Sequence, residues 1–358
     1  MNAAKINAKR TGFTGSCRIN SLWRPQRRRQ SVSDGVVRAQ ASRFRRLCQG
    51  GWLLLVLAAP CADAVAGCRV VDLMPDFWQS LESDDAAARL RVKLIDPHPD
   101  LYNDTVVKLP SGAKWLDETV RERTYAEGHR EELVAAEQYL SAQVEPIMAQ
   151  FQRMFPDYRC DYPFYIAPTF GRMDGAATLF HGHHLIVFAP DVIPRYHRLS
   201  DLKVLVDHET FHIYHHQVTG VYGASEEAIP TIFEALWGEG LATFASWRLN
   251  PEVSLDTALL QPGIPEAAKP HLANIASELL AHLDQKDEAI FRRYFLAGRQ
   301  KDGYPPRAGY YVGVLVAQAL ATRYTLTQLA HLNGAALHGA VVAELERIAA
   351  GVRADSGR

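Results

Sequence analysis

Two histidines and a glutamate, His208-Glu209-Thr210-Phe211-His212, stand in the spacing H-E-x-x-H. On a helix, positions i and i+4 lie one turn apart on the same face, so both imidazoles can reach one cation. Glu209 lies beside the first of them. There its carboxylate can take a proton from a water polarised by that cation. The chemistry this pattern predicts is metal-assisted hydrolysis. A random H-E-x-x-H is expected in about a few per cent of chains of this composition, so the pattern needs supporting context.

One part of that context is helical setting. Ser200 to Asp207 runs into the motif without Gly or Pro. Ser200 is the expected N-cap, and Asp201 suits the first turn. The other part is a third ligand, because catalytic zinc sites keep three protein ligands and leave a position for water. Glu239, in Leu236-Trp237-Gly238-Glu239-Gly240-Leu241-Ala242, is flanked by small residues that let a second helix approach a metal. Glu234 is a rival, but five residues earlier it lies about 500° round the helix, on a different face. Glu226 and Glu227 read as first-turn charges. His215 and His216 extend the motif helix, where one could line the site and His215 could serve the oxyanion; the reading preferred is a solvated helix end, stabilised by the macrodipole. His181, His183 and His184 fit a hairpin tip, where strand alternation sends His183 and His184 to opposite faces and argues against a second metal.

H-E-x-x-H followed by a helix bearing E-G-x-A resembles the gluzincin zinc peptidases. Among them the chain is most similar to a bacterial family of predicted zinc-dependent proteases of unknown function. The resemblance also rests on Pro305-Pro306-Arg307-Ala308-Gly309-Tyr310-Tyr311-Val312-Gly313, on Asp76-Phe77-Trp78 and on Leu94-Ile95-Asp96-Pro97-His98-Pro99. It implies a zincin-like fold, a Zn2+ ion on His208, His212 and Glu239, and Glu209 as general base. It further implies that Tyr310 or Tyr311 stands near the developing oxyanion. The family's acidic residue one turn after the ligand glutamate is Thr243 here. A different partner must then orient a histidine ligand, and Asp207 is one candidate.

The elements that must position these groups are legible in outline. Residues 73–95 read as broken helix, followed by a loop marked by Pro97, Pro99 and Asn103-Asp104. Residues 118–154 read as long amphipathic helices bent or split by Pro146. A strand is expected over 162–167. A β-hairpin is expected over 176–189, as a sheet edge able to pair with extended substrate. The helix carrying Glu239 is expected to start within 225–230 and run to about 247. Further helices are expected near 271–284, 286–297, 308–323 and 338–350. The class is α+β, mostly helical, with a small antiparallel-edged sheet beside the motif helix.

Residues 1–50 hold 12 Lys plus Arg and one acid, Asp34, ahead of the apolar run 51–59 and Ala64-Val65-Ala66. The pattern predicts a basic leader and signal peptide over 1–66, a single domain over 67–350, and a flexible tail over 351–358. The apolar run falls short of the roughly 20 residues a spanning helix needs. Of the 39 basic and 40 acidic residues, 12 and 2 lie in 1–66. This leaves 27 against 38, a net charge of about −11 that disfavours nucleic acid as a partner. Cys68 and Cys160 follow the leader. They are expected to pair in an oxidising compartment, the alternative being a lipid anchor on Cys68 in the lipobox-like Val65-Ala66-Gly67-Cys68. The expected protein is a secreted or periplasmic zinc metallopeptidase acting on peptide or protein substrates. The alternatives are a catalytically silent zincin-like binding protein, or a zinc amidase acting on a non-protein amide.

Overall fold

The computed structural model describes residues 68–220, 229–297 and 303–351. The expected leader over 1–66, the tail from 352, and Glu226 and Glu227 lie outside the described residues. Four strands form one mixed sheet in the order β1-β2-β4-β3. They are β1 (Arg69–Asp72), β2 (Pro163–Ile166), β3 (Gly175–Phe180) and β4 (His183–Phe188). β1, β2 and β4 are parallel, and β3 pairs antiparallel with β4 at the edge. The hairpin turn is His181-Gly182, both with positive φ (50° and 79°). A two-residue loop needs that backbone to match the strand twist. Helices make up most of the remaining structure, so the fold is α+β and mostly helical.

β1 was not anticipated. It is only four residues long, with a charge at each end. What holds it is the Cys68–Cys160 disulfide, which joins the residue before β1 to the segment leading into β2. The two cysteines are 92 positions apart with Cα atoms 5.1 Å apart. Free Cys68 as a lipid-anchor residue is incompatible with that bridge. Among the described residues, no helix is long and apolar enough to cross a membrane.

The motif helix spans Leu202–Thr219. Its start departs from expectation. A 3-10 turn, Leu199–Asp201, leads into it, and Ser200 bonds the Asp201 carboxylate instead of capping the helix. Gly220 ends it in the left-handed conformation (φ 70°), with its N–H on the His216 carbonyl, a geometry that costs glycine little. One face packs on the long helix Arg130–Met154. Phe151, Phe155, Tyr158, Phe211 and Tyr214 interlock there, with ring centroids 4.5–6.4 Å apart. That long helix runs through Pro146, and the break in the 113–154 region falls at His129 instead.

The helix carrying Glu239 spans Ile232–Leu249. Thr231 caps it with a reciprocal Thr231–Glu234 capping box, which satisfies two orphan N–H groups at once. A third helix, Ala308–Leu320, lies directly against it. A Cβ added to Gly240 would meet Gly313 Cα at 2.3 Å, and one added to Gly313 would meet the Leu236 carbonyl oxygen at 2.4 Å. The two backbones therefore touch, and only hydrogen fits between them. Phe295 likewise fills the space a Cβ would need on Gly309.

Two outcomes follow from this packing. Gly313→Ala should cost at least about 1–3 kcal/mol through overpacking against rigid backbone, read as a lower midpoint in denaturant unfolding. Cys160→Ala should cost about 2–4 kcal/mol by releasing the long loop; an unchanged unfolding midpoint would show that the bridge contributes nothing.

Candidate metal centre

His208 and His212 project from one face of the motif helix, and Glu239 comes to them from the neighbouring helix. His208 Nε2 and His212 Nε2 are 3.1 Å apart. Glu239 Oε2 lies 3.3 Å from the first and 3.4 Å from the second. A tetrahedral ion with bonds of about 2.0–2.1 Å separates its ligand atoms by about 3.3–3.4 Å. The three atoms therefore form a triangle close to one face of such a tetrahedron, and the donor set of two imidazoles and a carboxylate suits zinc. Among the described residues this is the one His/Cys/Asp/Glu group gathered tightly enough to hold a cation. His208 is sealed in, its side chain 3% exposed, while those of His212 and Glu239 are 20% and 27% exposed. The open side faces a cleft of about 230 Å³, which leaves a coordination position accessible.

The electrostatics of the triad oppose one another. Burial alone would lower His212, but the Glu239 carboxylate, its hydrogen bond, and Glu209 outweigh that and raise it. Burial alone would raise Glu239, yet the two imidazoles hold it well below the usual carboxylate range. The pair thus stands as a buried carboxylate facing a protonation-prone imidazole, a charge arrangement in which a divalent cation can replace a proton.

Glu209 points toward the sheet edge. Its Oε2 accepts a 2.8 Å hydrogen bond from the backbone N–H of Ala177 on β3, so the edge strand fixes the carboxylate beside the triad. Tyr310, on the Ala308–Leu320 helix, lines the same cleft. Its ring stacks over His208, with centroids 6.2 Å apart and planes 16° from parallel. Its hydroxyl is held between the Glu239 carboxylate and the Arg307 guanidinium. Burial first, and then Glu239, raise the phenol well above its ordinary range, so it stays a donor. Tyr311 turns elsewhere. Its charged neighbours are Lys269 and Glu266, and it lines none of the cleft.

Three expectations about the surroundings need correction. His215 is not a solvated helix end. It is buried, stacks on Phe211 and lines the cleft. Burial, then His212, His216 and His331, push it down to about 3, so it is a neutral hydrogen-bonding group. His216 is tied to the sheet through His184 (Nδ1···Nε2, 2.6 Å). Asp207 does not orient a ligand histidine, because its Oδ2 accepts from Lys203 and from Asn250, each at 2.7 Å. His208 Nδ1 and Thr243 Oγ1 are both buried without a hydrogen-bond partner, so the orienting role is unfilled among the described side chains. Glu234 lines the cleft as well, but its carboxylate is committed to the cap.

Arg307 is the group that the spacing arguments passed over. It precedes the tyrosine helix in the left-handed region (φ 57°, ψ 22°), and its guanidinium lies 4.3 Å over the Tyr310 ring. Comparison with known proteins found no matching family model, no matching curated protein and no matching solved structure.

A divalent cation binding the three ligand atoms must displace the proton that His212 holds. Its raised pKa sets the sign: affinity is flat above that pKa and weakens by up to about tenfold per pH unit below it. Titration calorimetry in buffers of different ionisation enthalpy should read approximately one proton released per zinc bound below that pKa, falling toward zero above it. Proton release that does not vary with pH would contradict this assignment of His212.

Proposed function

We propose that this protein is a zinc-dependent hydrolase of the zincin type that cleaves peptide bonds. The single observation that carries the reading is the 3.1–3.4 Å triangle of His208, His212 and Glu239 with the Glu209 carboxylate fixed beside it by Ala177. When bound, zinc would supply Lewis acidity toward the scissile carbonyl and a water of pKa lowered to about 7.

The chain's own residues do the remaining work. Glu209 takes the proton from the attacking water and passes it to the leaving amine. The Ala177 N–H on one oxygen holds that carboxylate in place without neutralising it. Tyr310, kept protonated by burial, would turn its one O–H from the Glu239 carboxylate, which zinc would engage, to the oxygen on which negative charge develops. His215, neutral and lining the same cleft, would be a second donor. The amide C–N bond breaks, hydroxide adds to the carbonyl carbon and the proton goes to nitrogen. The Cys68–Cys160 disulfide supports an oxidising compartment, in line with a secreted or periplasmic location.

Glu209→Gln keeps the size and hydrogen-bonding reach of the side chain and removes the base. Cleavage of a mixed peptide library should fall by about 10²–10⁴-fold, while the thermal unfolding midpoint stays near that of the wild type. Undiminished turnover in the variant would refute the base assignment.

A further inference from the structure

Among the described residues, Arg307 is the one cation lining the cleft apart from its histidines. Its left-handed backbone (φ 57°) is uncommon for a residue with a side chain. That conformation ends with the guanidinium over Tyr310, within electrostatic reach of Glu239 and Asp174. Neither acid neutralises it. Glu239 faces the two imidazoles, and Asp174 is held by His197 at 2.5 Å and by the Gly175 N–H at 3.0 Å. Among the described residues no ion pair is made by Arg307. Its guanidinium also donates to the Tyr310 hydroxyl, but it carries five N–H donors, and a guanidinium with donors to spare beside an open cleft is a receptor for a planar anion.

The position of Arg307 along the edge strand says which anion. Ala189 donates to the Asp174 carbonyl and Ala177 donates to Glu209. In the antiparallel register of β3 with β4, Gly175, Ala177 and Leu179 therefore turn their backbone groups away from β4; the Gly175 and Ala177 N–H groups are taken by Asp174 and Glu209, so these two residues offer an incoming strand their carbonyls. An extended peptide pairing with that edge in the more stable antiparallel sense runs opposite to β3. Its C-terminus then points toward Gly175 and Asp174, the end where Arg307 sits. With the reacting carbonyl beside Glu209 at Ala177, two residues of strand reach Gly175, about 7 Å further on.

We propose that Arg307 receives the free C-terminal carboxylate of a bound peptide, so that the cleft acts on the last one or two residues of a chain. This rests on the peptide-hydrolase reading above. Water adds across the amide bond: the new carboxylate forms on the shortened peptide, and the released amino acid or dipeptide carries the original one. A bidentate guanidinium–carboxylate contact discriminates against an amide by about 10- to 100-fold.

The test uses the zinc-loaded full chain and two mixed-sequence, N-acetylated tetrapeptide libraries, one ending in a free acid and one in an amide. Wild type should cleave the acids at least about tenfold faster, releasing one or two C-terminal residues by mass spectrometry. Arg307→Gln should bring the acid-to-amide ratio close to one, and Arg307→Lys should leave it between the two. A structural role alone would slow both libraries equally and leave the ratio unchanged. Binding is read separately from turnover by calorimetry on the Glu209→Gln variant. N-acetyl-tetra-alanine should bind about tenfold more tightly as the acid than as the amide, and Arg307→Gln added to that variant should erase the difference. If neither library is cleaved but the binding preference stands, the carboxylate site holds and the hydrolase reading fails. Equal cleavage and equal binding of acid and amide by proteins carrying Arg307 overturn the proposal, with no variant needed.

Discussion

The arrangement of the centre depends on a contact between two backbones. Gly240 and Gly313 meet where neither can carry a Cβ, and this fixes the Glu239 helix against the Tyr310 helix. Glu239 is adjacent to one of these glycines and Tyr310 lies one turn before the other. Their side chains therefore emerge side by side over the motif helix. A larger residue at either glycine separates the helices and moves the carboxylate and the phenol away from the imidazoles together. Packing and chemistry are in this sense the same constraint.

A second constraint is charge. Among the described residues, four carboxylates (Asp174, Glu209, Glu234 and Glu239), one guanidinium and three imidazoles line a cleft of about 230 Å³, and Glu234 is committed to the Thr231 cap. Each acid has a fixed partner: His197 for Asp174, the Ala177 N–H for Glu209, and the paired imidazoles for Glu239. Burying such groups is tolerable only when they are bonded. His208 Nδ1 and Thr243 Oγ1 depart from that pattern.

How much of this was readable in the residues follows from how local each signal is. The H-E-x-x-H spacing places His208, Glu209 and His212 because a helix needs only its own periodicity to bring i and i+4 together. Glu239 was identified from its flanking glycines, partly for a different reason than the fold supplies. Gly240 makes room for Gly313, not for the metal. Tyr310 and Tyr311 differ by about 100° around one helix, and the choice between them is set by a helix–helix contact that no local pattern encodes. His215 was within reach: 208, 212 and 215 form an i, i+4, i+7 stripe, and the helix runs one turn further than a helix end at His215 would require. The Thr231-x-x-Glu234 capping box likewise marks the start of the Glu239 helix at 232. Arg307 had no such signal, since its left-handed backbone and its position over Tyr310 exist only in the tertiary structure. β1 is held by a bridge to a cysteine 92 positions away, beyond the reach of a four-residue pattern.

The most direct test of the account is the metal content of the purified protein, measured by plasma mass spectrometry on wild type, His212→Ala and Glu239→Ala. One zinc per chain is predicted for the wild type, with loss to background in both variants while circular dichroism shows the helical fold retained. Zinc absent from a zinc-saturated wild type, or undiminished in correctly folded variants, would contradict the assignment of His208, His212 and Glu239 as a metal centre.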